Sequence, residues 1–292
     1  MDTRKLKPEL LARVSKAREI KETHFPGQIF FSYPNATTAV SLTGKECDLD
    51  CKHCGGKYLE KMVLPKDAEK EITRNRSKSC LISGGCNNSG KVILELESIK
   101  KIINNLRVNA HVGLIDEEEI RTLAPHVDCV SFDFLVDDET IHEVYNLKKT
   151  GQDYIQTYKN LRHYTKVIPH ICIGLKGGEI FGEYQAIDKL FQLGADGLVF
   201  IIFIPTRGTA YADRKPPSLE QVIDLLIYAR KKFADIPINL GCMRPGGKYR
   251  ADLDYLAILA GINKIVNPTP PALKLAEELG YQIIYTEECC VL

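Results

Sequence analysis

Short apolar runs alternate along this chain with segments whose apolar residues recur at helical spacing. The pattern predicts eight strands with helical segments between them. The predicted strands are residues 39–43, 79–83, 109–113, 127–133, 169–175, 197–205, 236–241 and 263–266. Eight such β–α units in 292 residues favour a (β/α)8 TIM-type barrel, an α/β fold. A doubly wound open sheet is the alternative, because periodicity alone does not separate the two.

Helical periodicity also predicts how the chain is organised. The predicted helices are residues 7–22, 95–106, 117–123, 154–164, 184–193, 218–233, 252–259 and 271–279. Ser218 is suited to cap the start of one helix, and Gly280 is suited to follow the end of another. No low-complexity linker interrupts the pattern, so we expect one domain. It comprises an N-terminal helical extension (1–27), a barrel (28–280) and a tail (281–292) that adds a strand and carries cysteines.

Composition narrows the classes of function. A net charge of +1 gives no electrostatic footprint for nucleic acid or an anionic membrane. No apolar run approaches the roughly 18 residues that a membrane span needs. Residues 1–7 lack the apolar core of a signal peptide, so a cytoplasmic location is expected. In a cytoplasmic chain, ten cysteines indicate metal or redox chemistry rather than disulfides.

The clearest chemical signal is a C-x3-C-x2-C motif formed by Cys47, Cys51 and Cys54. Thiolates are soft ligands, and three of them on a short loop can converge on one metal centre. Three ligands are one fewer than a closed zinc site or a fully protein-ligated cluster requires. The motif follows the first predicted strand, at the end where barrel active sites are built. It therefore predicts an iron left open for an exogenous ligand, with a zinc knuckle or ferredoxin-like loop as the alternative.

The motif and its position resemble the radical S-adenosylmethionine (SAM) superfamily. That resemblance implies that Cys47, Cys51 and Cys54 hold a [4Fe–4S] cluster whose fourth iron binds SAM. It also implies an external electron donor, whose electron lets the cluster cleave SAM to a 5′-deoxyadenosyl radical. His53 stands where the family usually has an aromatic residue before the third cysteine.

Two further stretches resemble SAM-contacting motifs of the same superfamily. Ser83, Gly84 and Gly85 match its glycine motif, where bare backbone lets the SAM amino group approach. An ordinary turn at a strand end is the alternative. Asp133, with Ser131 before it, stands where family members hold the SAM ribose, since a carboxylate can accept two hydroxyl donors. A helix cap is the alternative for Asp133.

Most of the chain resembles biotin synthase and its relatives through an ordered series of weaker matches. These are residues 154–172, 177–183, 208–213, Arg244 and 260–263. The resemblance places Gly178 and Ile180 beside the SAM adenine. Gln152 replaces an arginine of that family, so the partner of the SAM carboxylate stays unassigned.

Biotin synthase holds a second cluster inside its barrel, with three cysteines and the arginine that Arg244 matches. Cys172 matches one of those cysteines, whereas Asn109 stands near another and Cys80 is displaced from the third. We therefore predict an auxiliary iron–sulfur cluster with a new ligand set, which is Cys172, Cys242, Cys289 and Cys290. Arg244 and Arg207 are expected near that cluster or the substrate. Cys80 and Cys129 are typical of buried structural cysteines, and Cys86 is assigned no role.

Residues 242–247 resemble lipoyl synthases of the two-subunit kind. This resemblance implies sulfur insertion into an octanoyl chain carried on a protein or peptide, with a paralogous radical SAM subunit as partner. One alternative is another biotin synthase-like radical SAM enzyme that catalyses rearrangement or cofactor maturation without inserting sulfur. Another, from a different class, is an iron–sulfur electron-transfer or scaffold protein.

Overall fold

The fold is given by a computed structural model that describes residues 8–103 and 105–292. Its ten strands are β1 (Gln28–Ser32), β2 (Thr37–Ser41), β3 (Ser79–Ser83), β4 (Arg107–His111), β5 (Cys129–Asp133), β6 (Val167–Ile173), β7 (Leu198–Ile202), β8 (Ile238–Leu240), β9 (Lys264–Val266) and β10 (Gln282–Thr286). They form one sheet in the order β10-β1-β9-β8-β7-β6-β5-β4-β3-β2. Every neighbouring pair is parallel.

The helices lie between these strands. They are α1 (Pro8–His24), α2 (Pro65–Asn75), α3 (Leu96–Ile102), α4 (Glu117–Leu123), α5 (Asp138–Tyr145), α6 (Gly151–Tyr164), α7 (Glu183–Leu193), α8 (Leu219–Lys232), α9 (Gly247–Leu259) and α10 (Pro270–Glu278). Ser218 caps α8 as predicted, because its hydroxyl accepts the amide hydrogen of Gln221. Gly280 follows α10 with φ of 71°, the left-handed conformation that glycine adopts without strain. No helix within the described ranges is long and apolar enough to cross a bilayer.

The strand order confirms the predicted barrel-type α/β fold. From β2 to β9, strands that follow one another in sequence are neighbours in the sheet, whereas a doubly wound sheet would reverse direction partway. The eight predicted strands correspond to β2–β9, and the added strand of the tail corresponds to β10. β1 was not predicted, and it lies between β9 and β10.

Two helices were also missed, α2 and α5. Ala68 is the one buried residue of α2, so the helix has almost no apolar stripe for a periodicity argument to detect. The N-terminal helix was predicted to begin at Lys7, which lies outside the described residues. The predicted helix 95–106 includes Asn104, which is also outside them, and α3 ends at Ile102.

The chain after β10, one edge strand of the sheet, crosses to β2, the edge strand at the other end. The Ala36 amide donates to the Glu287 carbonyl at 2.9 Å, and the Cys289 amide donates to Thr37 Oγ1 at 3.0 Å. Arg107, at the start of β4, forms an ion pair with Glu288. These contacts carry the tail from β10 to the starts of β2 and β4, and they place Cys289 and Cys290 against the inside of the curled sheet.

Candidate metal centre

The cysteine loop follows β2, and tight backbone turns bring its side chains together. The amides of Cys54 and Gly55 both donate to the Cys51 carbonyl, at 3.1 and 2.8 Å. Asp50, Gly55 and Gly56 all adopt positive φ, which lets the chain reverse over a few residues. The ligating atoms of Cys51, His53 and Cys54 consequently lie within 4.8 Å of one another. Cys47 is not part of this close set.

The electrostatics of the loop favour a thiolate. A hydrogen bond from Cys51, together with the contribution of His53, lowers the pKa of Cys54 to about 4, whereas the hydrogen bond with Cys54 raises the pKa of Cys51. The buried Nδ1 of His53 has no hydrogen-bond partner. An unpartnered imidazole nitrogen among soft thiols fits a bound metal, because buried polar atoms otherwise find a partner. His53 therefore lies within the close set of ligating atoms, and no ligand role was predicted for it.

The loop after β3 supports the cysteine loop. The Asp48 amide donates to the Cys86 carbonyl at 2.8 Å, and the Gly85 amide donates to Thr43 Oγ1 at 2.7 Å. A Cβ atom on Gly85 would lie 1.9 Å from the Glu46 carbonyl oxygen and 2.6 Å from Cys47 Cβ. Gly85 thus makes room for the cysteine loop itself, a role that differs from the predicted approach of a cofactor. Burial raises the pKa of Cys86 to about 12, and the charge of Cys47 adds to this rise.

A cavity of about 410 Å³ begins at the cysteine loop and runs inside the curled sheet. Its polar lining includes Cys47, Cys51, Cys54, Ser83, Asn109, His111, Ser131, Asp133, His170, Cys172, Cys242, Cys289 and Cys290. The glycine backbone of Gly84 and Gly85 contributes to the wall beside the cysteine loop. The volume is that of a typical small-molecule pocket. The tail cysteines therefore share one interior space with the cysteine loop.

Asp133 and Ser131 both line this cavity, but they differ in exposure. Asp133 is exposed at the end of β5, and its charge adds to the effect of burial in raising the pKa values of Tyr145 and Tyr154. Ser131 is buried, and its hydroxyl donates to Asn109 Oδ1 at 3.0 Å. Asp133 is thus available to a ligand, whereas the hydroxyl of Ser131 already has a partner within the protein.

The segment predicted to lie beside an adenine is tied to other parts of the protein. Gly178 has φ of 97°, and a Cβ atom there would lie 1.9 Å from the Lys215 carbonyl oxygen. Ile180 is half-buried against the core. Neither residue lines the large cavity. Buried Glu183 fixes this segment by accepting the amide hydrogens of Gly174 and Phe181, both at 2.7 Å.

Among the described residues, no three of the four thiols predicted to form the second site lie within 4.8 Å of one another. Cys289 Sγ lies 3.6 Å from Asn109 Nδ2, and Cys290 Sγ lies 3.6 Å from His170 Nε2. Burial raises the pKa of Cys290, and the charges of Cys289 and Cys242 add to this rise. Burial also raises the pKa of Cys172, but there the contributing charges are Asp133, Glu183 and Cys54. Cys172 and Cys242 thus have different charged neighbours, although both line the cavity.

The two arginines assigned to the substrate or cluster environment lie elsewhere. Arg244 is buried, with Nε 2.8 Å from Asp254 Oδ1 and Nη2 2.8 Å from the Val266 carbonyl oxygen. Arg207 is exposed on the loop after β7. Neither side chain lines the cavity. Arg244 thus forms a buried ion pair with Asp254, and a role for it near a cluster stays a prediction.

Three cavity residues that the sequence reasoning did not select are Asn109, His111 and His170. Asn109 Oδ1 accepts the Ser131 amide at 3.1 Å, and the His111 and His170 rings meet edge to face with centroids 5.5 Å apart. Burial lowers the pKa of His170 to about 4. Alternation along β4 and β6 puts residues 109 and 111, and 170 and 172, on one face of each strand. That signal was available once Cys172 was placed inside the barrel.

Solved structures match this fold over most of its length. Methylornithine synthase (PylB) is 14% identical, with a TM-score of 0.69 over 96% of this chain and 90% of that one. The [FeFe]-hydrogenase maturase HydG from Carboxydothermus hydrogenoformans is 13% identical, with a TM-score of 0.70 over 95% of this chain and 72% of that one. Streptococcus suis SuiB bound to S-adenosylmethionine is 14% identical, with a TM-score of 0.52 over 75% of this chain and 52% of that one. At these identities the likeness shows the fold.

Sequence comparisons add no closer relative. No protein-family model matches the chain. No curated protein matches it in sequence.

Proposed function

We propose that this chain is a radical SAM enzyme. The observation that carries the proposal is the placement of Cys47, Cys51 and Cys54 on the loop after β2, facing a cavity inside a parallel α/β barrel. The fold is shared with SuiB, which was solved with S-adenosylmethionine bound. A [4Fe–4S] cluster held by the three thiolates would supply the electron that cleaves SAM, once an external donor has reduced it.

The protein's own residues then bind and enclose the cofactor. Asp133, exposed into the cavity, is the acceptor for the ribose hydroxyls of SAM, and the Gly84–Gly85 backbone lies next to the cysteine loop. Backbone hydrogen bonds from Lys52 to Val144 and from Tyr211 to Lys52 fix the cysteine loop to other parts of the barrel mouth. Enclosure within the barrel limits the access of water to a reactive intermediate.

We further propose that the reaction is sulfur insertion of the lipoyl synthase type. Two C–H bonds of a carrier-bound octanoyl chain would be replaced by C–S bonds, each hydrogen leaving in 5′-deoxyadenosine. An auxiliary cluster would supply the sulfur. This proposal is supported by Cys242, Cys289 and Cys290, which line the same cavity as the cysteine loop. A paralogous radical SAM subunit is the proposed partner.

Anaerobic reconstitution tests both proposals. The chain is supplied with iron, sulfide, SAM, dithionite and an octanoyl-lysine peptide, with and without a partner subunit, and the products are measured by mass spectrometry. We expect 5′-deoxyadenosine and a thiolated peptide, and neither from a Cys47→Ala/Cys51→Ala/Cys54→Ala variant. Formation of 5′-deoxyadenosine without any thiolated product would remove the lipoyl assignment and keep the radical SAM assignment.

A reaction without sulfur insertion is the second candidate. It is favoured by the fold matches to methylornithine synthase and to a hydrogenase maturase, which extend over 96% and 95% of this chain. In that case the tail thiols would be dispensable for turnover. Counting inorganic sulfide before and after a single turnover separates the candidates, since sulfur insertion consumes cluster sulfide and rearrangement does not.

Asp133→Ala is expected to weaken SAM binding by about 10- to 100-fold, because hydrogen bonds to a charged group contribute about 1.5–3 kcal/mol. Equilibrium dialysis of reconstituted protein with labelled SAM measures the change. Asp235→Ala is the matched control, since Asp235 is an exposed carboxylate that does not line the cavity. Equal SAM affinity in the Asp133 variant and the unaltered chain would mean that Asp133 does not contact the cofactor.

A further inference from the structure

Hydrogen bonds and apolar packing hold the tail cysteines inside the barrel. The Cys290 carbonyl accepts hydrogen bonds from Asn239 Nδ2 at 3.2 Å and from Lys264 Nζ at 3.4 Å. Val291, next to Cys290, is buried in a small apolar cluster with Cys129, Ile168 and Val199. Because the tail is already anchored, binding a metal at this vicinal thiol pair would carry a small entropic cost of ordering the tail.

His170 presents its second ring nitrogen to this pair, within hydrogen-bond distance of the Cys290 thiol. Its Nδ1 lies 3.0 Å from the Ile168 carbonyl oxygen, so Nδ1 must carry the hydrogen and donate it. The lone pair of Nε2 is then directed away from that carbonyl, with Cys290 Sγ 3.6 Å distant. A histidine that donates one ring nitrogen to a backbone carbonyl and offers the other is the arrangement found in metal-ligating histidines.

The spacing of these two atoms matches joint ligation. With metal–sulfur and metal–nitrogen bonds of about 2.3 and 2.05 Å, two ligands of one tetrahedral ion lie about 3.6 Å apart. That is the distance between Cys290 Sγ and His170 Nε2. Imidazole also replaces thiolate on one iron of some iron–sulfur clusters. The chemistry of His170 and its position therefore both suit an iron site.

Cys172 is less well placed for the same role. It lies two residues after His170 on β6, about 6.6 Å closer to the mouth of the barrel, since a parallel strand rises about 3.3 Å per residue. His170, and not Cys172, is therefore the β6 residue that lies level with Cys290.

We propose that the second metal centre is held by Cys242, Cys289, Cys290 and the Nε2 atom of His170, in place of Cys172. The inference rests on the proposed function, which supplies the second centre. It changes the class of that centre, because a histidine-ligated cluster differs in charge and reduction potential from one held by cysteines alone.

Nitrogen coupling tests the ligand directly. The Cys47→Ala/Cys51→Ala/Cys54→Ala variant of the full chain is reconstituted with iron and sulfide, so that the second centre is the one that remains. After reduction, pulsed EPR is compared between protein grown with ¹⁴N-histidine and with ¹⁵N-histidine. We expect a strong nitrogen coupling that changes with the isotope. This comparison alters no residue of the second centre, so it is independent of whether a His170 variant folds.

Variants assign the coupling to one ring. His170→Ala in the same background should remove it, whereas His111→Ala and Cys172→Ala should leave the coupling and the iron content unchanged. His111 is the matched control because its ring lies beside that of His170 in the same cavity. An isotope-independent spectrum, or loss of the centre in Cys172→Ala but not in His170→Ala, would overturn the proposal.

These experiments distinguish failure of the inferred ligand set from failure of the proposed function. If the triple variant binds no iron, the second centre does not exist and the inference fails. Cleavage of SAM by the unaltered chain would still support radical SAM chemistry in that event. Absence of SAM cleavage together with a histidine-coupled centre would instead refute the proposed function.

Discussion

Replacing Gly85 by alanine is expected to remove most of the iron bound at the cysteine loop, although all three cysteines remain. The added Cβ atom would overlap the Glu46 carbonyl oxygen at 1.9 Å and the Cys47 Cα atom at 2.7 Å. Both contacts involve backbone or atoms attached directly to it, so the loop carrying Cys47 must move. A displacement of about 1 Å at a reacting centre can reduce catalysis about 10²-fold, and we expect a loss of SAM cleavage of at least that size.

Gly84→Ala is the matched control. A Cβ atom on Gly84 would lie 3.1 Å from Thr43 Cγ2 and 3.2 Å from Val92 Cγ1, and these are side-chain atoms that can shift. Iron and sulfide analysis and the EPR spectrum of the reduced protein measure the site, and a thermal melt measures the fold. We expect Gly84→Ala to retain its iron. Normal iron in Gly85→Ala, accompanied by loss of SAM binding, would show that Gly85 serves the cofactor and not the loop.

The position of Gly85 was predictable from the sequence, whereas its contacts were not. The glycine motif was located correctly at the end of β3, because it follows an apolar run and its neighbours are recognisable. What Gly85 accommodates depends on Glu46 and Cys47, which approach it only after the loop folds back. A one-dimensional pattern contains no information about that approach.

The fold was predictable to a similar extent. Alternating apolar runs located β2–β9, since parallel strands buried on both faces produce continuous apolar segments. The position of β1 between β9 and β10 was not predictable, because it depends on which strand edges are still unpaired once β2–β9 have formed the sheet. The tail was recognised from its cysteines, but its insertion against Asn109 and His170 depends on contacts across 180 and 120 residues of sequence.

Arg244 makes contacts within the protein that its resemblance to biotin synthase does not predict. In biotin synthase the matching arginine contacts the second cluster, whereas here the Arg244 guanidinium forms hydrogen bonds to other residues of the protein. Two of its nitrogens face the Asp254 carboxylate at 2.8 and 3.2 Å, and the remaining hydrogen bonds go to backbone carbonyls such as that of Val266. Both side chains of the ion pair are completely buried. The pair joins the loop after β8 to α9 and to the segment after β9.

Asp254→Ala is expected to destabilise the fold by about 3–5 kcal/mol, because it leaves the Arg244 charge buried without its partner. The same change removes the acceptor of the Thr269 amide, which lies 3.0 Å from Asp254 Oδ2 at the start of α10. Urea unfolding of the iron-free protein measures the effect. Lys248→Ala is the control on the same helix, since the Lys248 side chain is 86% exposed and its ion pair with Asp252 should contribute less than about 1 kcal/mol.

The double variant Arg244→Met/Asp254→Leu separates a structural role from a cluster role. Removing both charges eliminates the unpaired buried guanidinium, so the double variant should be more stable than Asp254→Ala, although carbonyls such as that of Val266 lose a donor. Because the pair does not line the cavity, iron content and the EPR spectrum should match those of the unaltered chain. A double variant that is stable but lacks the second centre would return Arg244 to the cluster environment that its resemblance to biotin synthase implies.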